Sequence, residues 1–493
     1  MSVYLAIDLG AGSGRIIAGV VSEGKFSLDE INRFENIPEE RDGGLFWNFE
    51  NLWAGILEGL KLSVEKYGAE AIRSIGVDTW GVDYGLIDAA GDLLAVPRHY
   101  RDARNKQAMD EVCEVVSREE IFEKTGLQFM QINTLFQMAA AKKHEPELLH
   151  KAAQFLLIPD LINLRLTGKA FCERTNASTT QFYNPVKKRW SIKLFEKIGV
   201  PLEKTPQLIE AGESLGPVKD AIAAETGLLP HTEVVTVGSH DTASAVAAVP
   251  ANGDKKFAYL SSGSWSLLGV ELDQPILSDL VRKYNFTNEV GVFDTIRLLK
   301  NINGLWLVQE CRRVWSEQGN QWSFAELAGM ARTATPLKAL VDPDDQRFST
   351  RADMPQMVVD FCRESGQSIP ESPAEILRTL VDSLAMKCAY VLKRLEEVIG
   401  HCVEVLHIIG GGGRDDMLNQ AIANSINRPV IVGPYEATAA GNVMMQKVAC
   451  GKLKSLEEGR AMIRSSFETK QFDPQDGDQW SAAYERFETL LPS

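Results

Sequence analysis

The sequence predicts an α/β protein of two domains built on one plan, and three observations carry that prediction. The chain opens on an apolar strand, a turn of small residues and a second strand: VYLAIDL, GAGSGR and IIAGVV across residues 3–21. The theme returns half a chain later in KKFAYLSSGSWSLLGVEL at 255–272. Finally, 493 residues exceed what one ordinary hydrophobic core holds. Two halves that open alike suggest a duplicated fold around a central cleft. The strongest linker signal is PANGD at 250–254, and the expected domains are 1–247 and 248–493.

Taken in order, the first hairpin is followed by a turn at Glu23, Gly24 and Lys25 and a further strand, FSLDEI. Leu52, Ile56, Leu60 and Val64 recur at helical spacing. SIGVDTWGVDYGLID at 74–88 holds two apolar segments around Thr79, Trp80 and Gly81, and Gly91-Asp92 marks a hairpin turn. Residues 101–230 are mixed and mostly helical, with a polar loop, RTNASTTQ at 174–181, placed to shape a substrate pocket. In the second half, Ser372 and Glu375 form a capping box for a core helix that stops at Gly400. A strand at 403–409, four glycines at 410–413, a helix at 415–426 and a strand at 430–432 follow, then a last turn and helix. The final 40 or so residues are charged and expected to be peripheral, and DPDDQ at 342–346 is expected to be a solvated loop.

Composition narrows the function. With 44% hydrophobic and 24% charged residues the chain is ordinary and globular, and its net charge of -15 argues against nonspecific binding to nucleic acid or anionic membranes. Asp8 and Arg15 interrupt the opening apolar run, unlike a signal peptide, and no uncharged stretch is long enough to span a bilayer. Seven cysteines without a C-x-x-C pair fit a reduced, soluble, cytoplasmic protein.

The stretch VVTVGSHDTASAV at 234–246 reads as buried strand, turn and helix, with Asp241 at the junction. A carboxylate there is kept ionised by the positive helix end, so it can accept a proton from a bound hydroxyl; its bland alternative is a helix cap. In GAGSGR the glycines alternate and a strand follows, so the dinucleotide fingerprint fails. A small-residue turn still cradles phosphate with its N–H groups, and Asp8 facing the same anion is a candidate for holding hydrated Mg²⁺. Gly19, Gly24 and Lys25 only imitate a phosphate loop, since Phe26 stands where Ser or Thr is needed. Ser239, His240 and Asp241, adjacent in sequence, cannot align as a hydrolase triad. The glycine run between strand and helix suits a nucleoside, and the turn at Ser261 to Ser266 offers hydroxyls and N–H groups to further phosphates. Together these features describe phosphoryl transfer from a nucleotide to a hydroxyl.

As a set, DLGAGSGR, SIGVDTWGVD, YRDAR, RTNASTTQ, SHDTASAV, YLSSGSWSL, LLKNINGLWLVQ and IIGGGGRDDMLNQ resemble the FGGY family of carbohydrate kinases over essentially the whole chain. The resemblance implies two ribonuclease H-like domains of the actin, Hsp70 and sugar-kinase type. It implies ATP-dependent phosphorylation of L-rhamnulose at its 1-hydroxyl in L-rhamnose breakdown, with DTWGVD and SHDTASAV the discriminating motifs. By the same resemblance Asp241 is the catalytic base and a substrate contact. Ala11, Gly12, Ser13, Gly14 and Arg15 form the first ATP phosphate turn, Ser264 belongs to the second, and Gln309 and Gly411 are further ATP contacts. Gly81, His240, Thr242 and Asn301 contact sugar. Partners would be a ketose and ATP, with the protein a monomer or homodimer. Two alternatives stay open: a kinase for L-fuculose, L-ribulose or D-xylulose, and a nucleotide-switched protein of the actin and Hsp70 type.

Overall fold

The computed structural model describes residues 1–22 and 25–492, and the turn expected at Glu23 and Gly24 lies outside them. The chain divides into two compact units. The first comprises Met1–Ala248, Glu271–Leu298 and Ala437–Ser466; the second comprises Val249–Val270, Leu299–Glu436 and Phe467–Ser493. Two later segments thus join the first unit in its packing.

The first unit is organised by a six-stranded sheet in the order Ser214–Pro217, Glu233–Val235, Ile72–Thr79, Ser2–Leu9, Ser13–Ser22, Lys25–Glu35. Ser2–Leu9 runs antiparallel to Ser13–Ser22 and parallel to Ile72–Thr79, which in turn runs parallel to Glu233–Val235. Val3 to Leu9 are buried on both faces, which is why the strand reads as an unbroken apolar run. The helix Phe49–Tyr67 begins where Asn48 accepts the Asn51 N–H and buries Leu52, Ile56 and Leu60. On the sheet, the helix Ala437–Ala449 packs against Ser2–Leu9, Ile72–Thr79 and the helix Asp241–Ala247. This packing explains why a segment from far along the chain belongs to the first unit. The approach is close: a Cβ at Gly441 would lie 1.8 Å from the Ser244 carbonyl oxygen.

The second unit repeats the arrangement. Ile296–Asn303, Trp265–Leu272, Phe257–Ser262, Val405–Ile409, Val430–Val432 and Lys470–Phe472 are successive neighbours in its sheet. Phe257–Ser262 is antiparallel to Trp265–Leu272 and parallel to Val405–Ile409, as in the first unit. The core helix Pro373–Ile399 starts at Ser372, whose Oγ accepts the Glu375 N–H, and ends at Gly400 with φ 74°. The Glu375 carboxylate accepts from the Glu371 N–H rather than from Ser372, so the capping box is only half formed.

Two expectations are corrected here. DPDDQ is not a solvated loop: Asp342 is buried and pairs with the buried Lys387 at 2.7 Å, with Asp344 3.0 Å from the same ammonium. Nor is the C-terminal stretch merely peripheral. Lys470–Phe472 pairs antiparallel with Val430–Val432, and Trp480 and Phe487 enter the core, so the apolar residues scattered among its charges hold it in place. Gly441→Val is expected to lower stability by about 3 kcal/mol, since the branched side chain meets backbone and not a movable side chain; a denaturant titration that leaves the midpoint unchanged would contradict this packing.

Candidate active site

The site in the first unit is built at the carboxyl ends of its parallel strands, where α/β sheets place ligands. Asp8 lies opposite Asp78 in parallel register and opposite Arg15 in the hairpin, and Arg15 pairs with the Asp8 carboxylate. One residue further, Thr79 forms a parallel bridge with His240, and its N–H donates to the Ser239 carbonyl at 2.9 Å. The register thus brings Asp8, Asp78 and the start of the Asp241–Ala247 helix to one level. Burial, with the like charges of Asp8 and Asp241, pushes the Asp78 carboxyl well above the usual carboxylate range, against the lowering effect of Asn442 and Arg15. Asn442 Nδ2 donates to Asp78 Oδ2 at 2.5 Å, whereas Asp78 Oδ1 is buried without a hydrogen-bond partner among the described residues.

Asp241 is the first residue of its helix, and its side chain remains 32% exposed rather than packed in hydrocarbon. Its Oδ1 accepts from the Thr242 N–H at 2.5 Å and lies 3.1 Å from Thr242 Oγ1, so one oxygen is engaged within the helix's first turn, while the N-cap position is His240 and makes no side-chain cap bond. His240 precedes it in extended conformation, with Nε2 3.5 Å from Asp241 Oδ1.

Three segments are tied together beneath these residues. The Glu173 carboxylate accepts from the N–H of Thr175 at 2.9 Å, from the N–H of Ser239 at 3.0 Å and from Ser239 Oγ at 2.7 Å. Burial raises its pKa, while the donors from Thr175 and Ser239 lower it. Asn176 Nδ2 donates to the carbonyls of Trp80 and Ser239, and Thr179 Oγ1 accepts the Val82 N–H at 3.0 Å. A Cβ at Gly81 would come 3.0 Å from the Thr179 side chain, so the backbone passes close here. Val82, a β-branched residue at φ 68°, is held in a conformation such residues avoid. RTNASTTQ is therefore a buried framework with one helical turn, Arg174–Ala177, and not an open loop. Behind Trp80, the Asp83 carboxylate accepts from Trp47 Nε1, Trp80 Nε1, Gln137 Nε2 and the Tyr100 N–H. Burial pushes it up to about 7 in spite of those four donors. The Tyr100 of YRDAR is in this way anchored to the Trp80 segment.

Residues 3–248 match the N-terminal domain, and residues 258–450 the C-terminal domain, of the FGGY family of carbohydrate kinases. A rhamnulokinase of Bacteroides thetaiotaomicron is 42% identical over 490 residues, covering 99% of each chain. One of Bacillus subtilis is 39% identical over 489 residues, again covering 99% of each. The chain belongs to the FGGY family of carbohydrate kinases. Among solved structures, xylulose kinase from Lactobacillus acidophilus superposes with a TM-score of 0.81 at 15% identity, covering 99% of this chain and 97% of that one. Plasmodium falciparum glycerol kinase with ADP superposes at 0.78 and 17% identity, covering 100% and 99%. These likenesses show the fold, two α/β domains of the actin and Hsp70 type.

In the second unit of this FGGY kinase, Ser264 and Gln309 come together, with Ser264 Oγ donating to Gln309 Oε1 at 2.9 Å. The turn is braced by the N–H groups of Gly304 and Trp306, both bonded to the Ser264 carbonyl at 3.1 Å. Gly411 opens a 3-10 turn over Gly411–Arg414, and its neighbour Gly412 presses on Ser262, where a Cβ would come 2.2 Å from Oγ. Gly411 thus lies near the Ser264 turn. At Gly411 itself an added Cβ would meet nothing within 4 Å, so its own position leaves open space for a ligand. Asn301 sits on Ile296–Asn303, three residues before Gly304. In the first unit, the turn at Ala11 and Gly12 is held by Asn36, whose Nδ2 donates to the Gly10 carbonyl at 2.9 Å and whose N–H donates to that of Gly12 at 3.2 Å.

Sequence reasoning passed over Asp78, Glu173, Asn176, Asn442, Glu289 and Arg297. A signal existed for Asp78, which closes an apolar strand as Asp8 does, and for Arg297, a lone charge in the apolar run IRLL. Nothing local marks Glu173 or Asn442, whose partners lie far along the chain. Glu173→Leu is expected to cost about 3 kcal/mol by stranding the buried donors of Thr175 and Ser239, read as a lowered urea midpoint.

Proposed function

We propose that this kinase transfers the γ-phosphoryl group of ATP to the 1-hydroxyl of L-rhamnulose, giving L-rhamnulose 1-phosphate, in the cytoplasm and as a monomer or homodimer. ATP as phosphate donor follows from the family. The choice of ketose is supported by the rhamnulokinases, near 40% identical over 99% of the chain. The observation that carries the chemistry is Asp241: a carboxylate at a helix start, partly exposed, with one oxygen engaged by Thr242 and the other left for a substrate hydroxyl.

In this reading Asp241 accepts the hydroxyl proton as the oxygen attacks phosphorus, a role that asks for a positioned and ionised group. Gly81, His240, Thr242 and Asn301 hold the sugar; Ala11, Gly12, Ser13, Gly14 and Arg15, with Ser264, Gln309 and Gly411, hold ATP. Asp8 and Asp241 bring negative charge to this end of the sheet, and beside them Asp78 Oδ1 has no hydrogen-bond partner among the described residues, an arrangement that suits a cation. Mg²⁺ keeps several waters and is bound through few carboxylates together with substrate phosphates. Asp8 would hold it through water, and the ion would supply charge neutralisation for the phosphates.

Purified protein is expected to release ADP in response to L-rhamnulose in preference to L-fuculose, L-ribulose and D-xylulose; preference for another ketose would overturn the substrate assignment, and ketose-independent ATP hydrolysis would overturn the kinase reading. Asp241→Asn is expected to keep the fold and ATP binding while kcat falls by roughly 100-fold or more.

A further inference from the structure

The polar group that faces His240 from the other side is buried and takes no part in the chemistry described so far. Arg297, whose side chain is 0% exposed, lies on Ile296–Asn303, and Glu289, 6% exposed, on Thr287–Val290. Arg297 Nη2 is 3.1 Å from Glu289 Oε2 and 3.2 Å from His240 Nδ1. Its Nε and Nη2 also donate to the Val290 carbonyl, at 3.2 and 3.1 Å. Two further bonds fix the frame: the Val290 N–H donates to Ser178 Oγ and the His240 N–H to Thr175 Oγ1, so both sides of the contact hang on the same 174–180 segment.

We propose that Arg297, held by Glu289, is a positioning residue for the sugar-phosphorylation step, fixing His240 with Nδ1 as acceptor and Nε2 as the N–H donor offered to the sugar. The inference rests on the assignment of His240 as a sugar contact. A guanidinium has only donors, so the imidazole nitrogen it meets must present a lone pair, and a neutral ring then carries its proton on the other nitrogen. Glu289 Oε2 is equally near Nδ1, at 3.2 Å, yet it accepts no hydrogen bond among the described residues, so the directional contact is the one with Arg297. Glu289 instead neutralises a cation that would be costly to bury alone. Burial disfavours its ionised form, but the charge of Arg297 works against burial, and the carboxyl lies below the usual range.

The consequence is felt at Nε2. It lies 3.5 Å from Asp241 Oδ1, too far for a strong direct bond. One sugar hydroxyl can instead accept from Nε2–H while donating its own proton to Asp241. The opposite tautomer would turn Nδ1–H against the guanidinium and leave Nε2 with nothing to donate to the sugar oxygen.

The test begins with the wild-type protein, labelled with ¹⁵N-histidine and assigned with His240→Gln. At neutral pH the His240 imidazole is expected to be neutral with its proton on Nε2; an Nδ1–H tautomer or an imidazolium would overturn the inference whether or not any variant folds. Glu289→Gln and Arg297→Gln are then expected to raise KM for the ketose roughly 10- to 100-fold with KM for ATP unchanged, and Arg297→Lys, which keeps a charged donor, to recover part of the loss. Equal rises in both KM values, or no change in either, would contradict it. Failure of the wild-type protein to show ketose-stimulated ATP turnover would count against the kinase reading instead, leaving the tautomer measurement standing on its own.

Discussion

The parallel register between Ser2–Leu9 and Ile72–Thr79, continued by the Thr79 to His240 bridge, is the constraint on which the rest of the site depends. Strand pairing has a period of two, so a slip of one residue would turn Asp8 and Asp78 to opposite faces of the sheet and carry the Asp241 helix away from both. The register is secured by burial on both faces and by the helix Ala437–Ala449, whose Gln446 bonds the Leu5 carbonyl at 3.0 Å and whose Asn442 reaches Asp78. The concentration of negative charge that results is unfavourable by itself. Arg15 and Asn442 offset part of it, and an arriving cation would offset more.

A second layer turns strand ends into a binding surface. Glu173 and Asn176 gather the backbone of Trp80, Thr175 and Ser239 through bonds that are buried and so poorly exchanged with water. Buried polar networks of this kind hold geometry tightly when every donor is matched. Arg297 and Glu289 extend the same device to the side chain of His240. The protein thereby fixes both the places of its polar groups and the direction in which His240 donates.

Much of this was legible in the sequence. The hairpins, the strand, turn and helix at Asp241, the glycine turn after Ile409 and the linker after Val249 all follow from local periodicity and small-residue punctuation. Asp241 could be singled out because its neighbours specify its conformation. What escaped was whatever depends on contacts distant in sequence. Asn442 and Asp78 are separated by 364 positions, and Glu173 and Ser239 by 66. By its polarity alone RTNASTTQ reads as a loop, although most of its side chains find buried partners, Arg174 with Glu210 and Asp294, Thr175 with Glu173 and Asn176 with the Trp80 and Ser239 carbonyls. DPDDQ reads as solvated for the same reason, since its partner Lys387 lies beyond any local window. The FGGY resemblance proposes ligand-facing positions, but it carries no information on the buried groups around them.

The account stands or falls on what Asp241 touches. A crystal structure of the protein with ADP and L-rhamnulose gives the most direct measurement. A separation of about 2.6–3.2 Å between an Asp241 carboxylate oxygen and the sugar 1-hydroxyl is the predicted result. A sugar bound with that hydroxyl facing any other group, and Asp241 bonded only to Thr242, would contradict it.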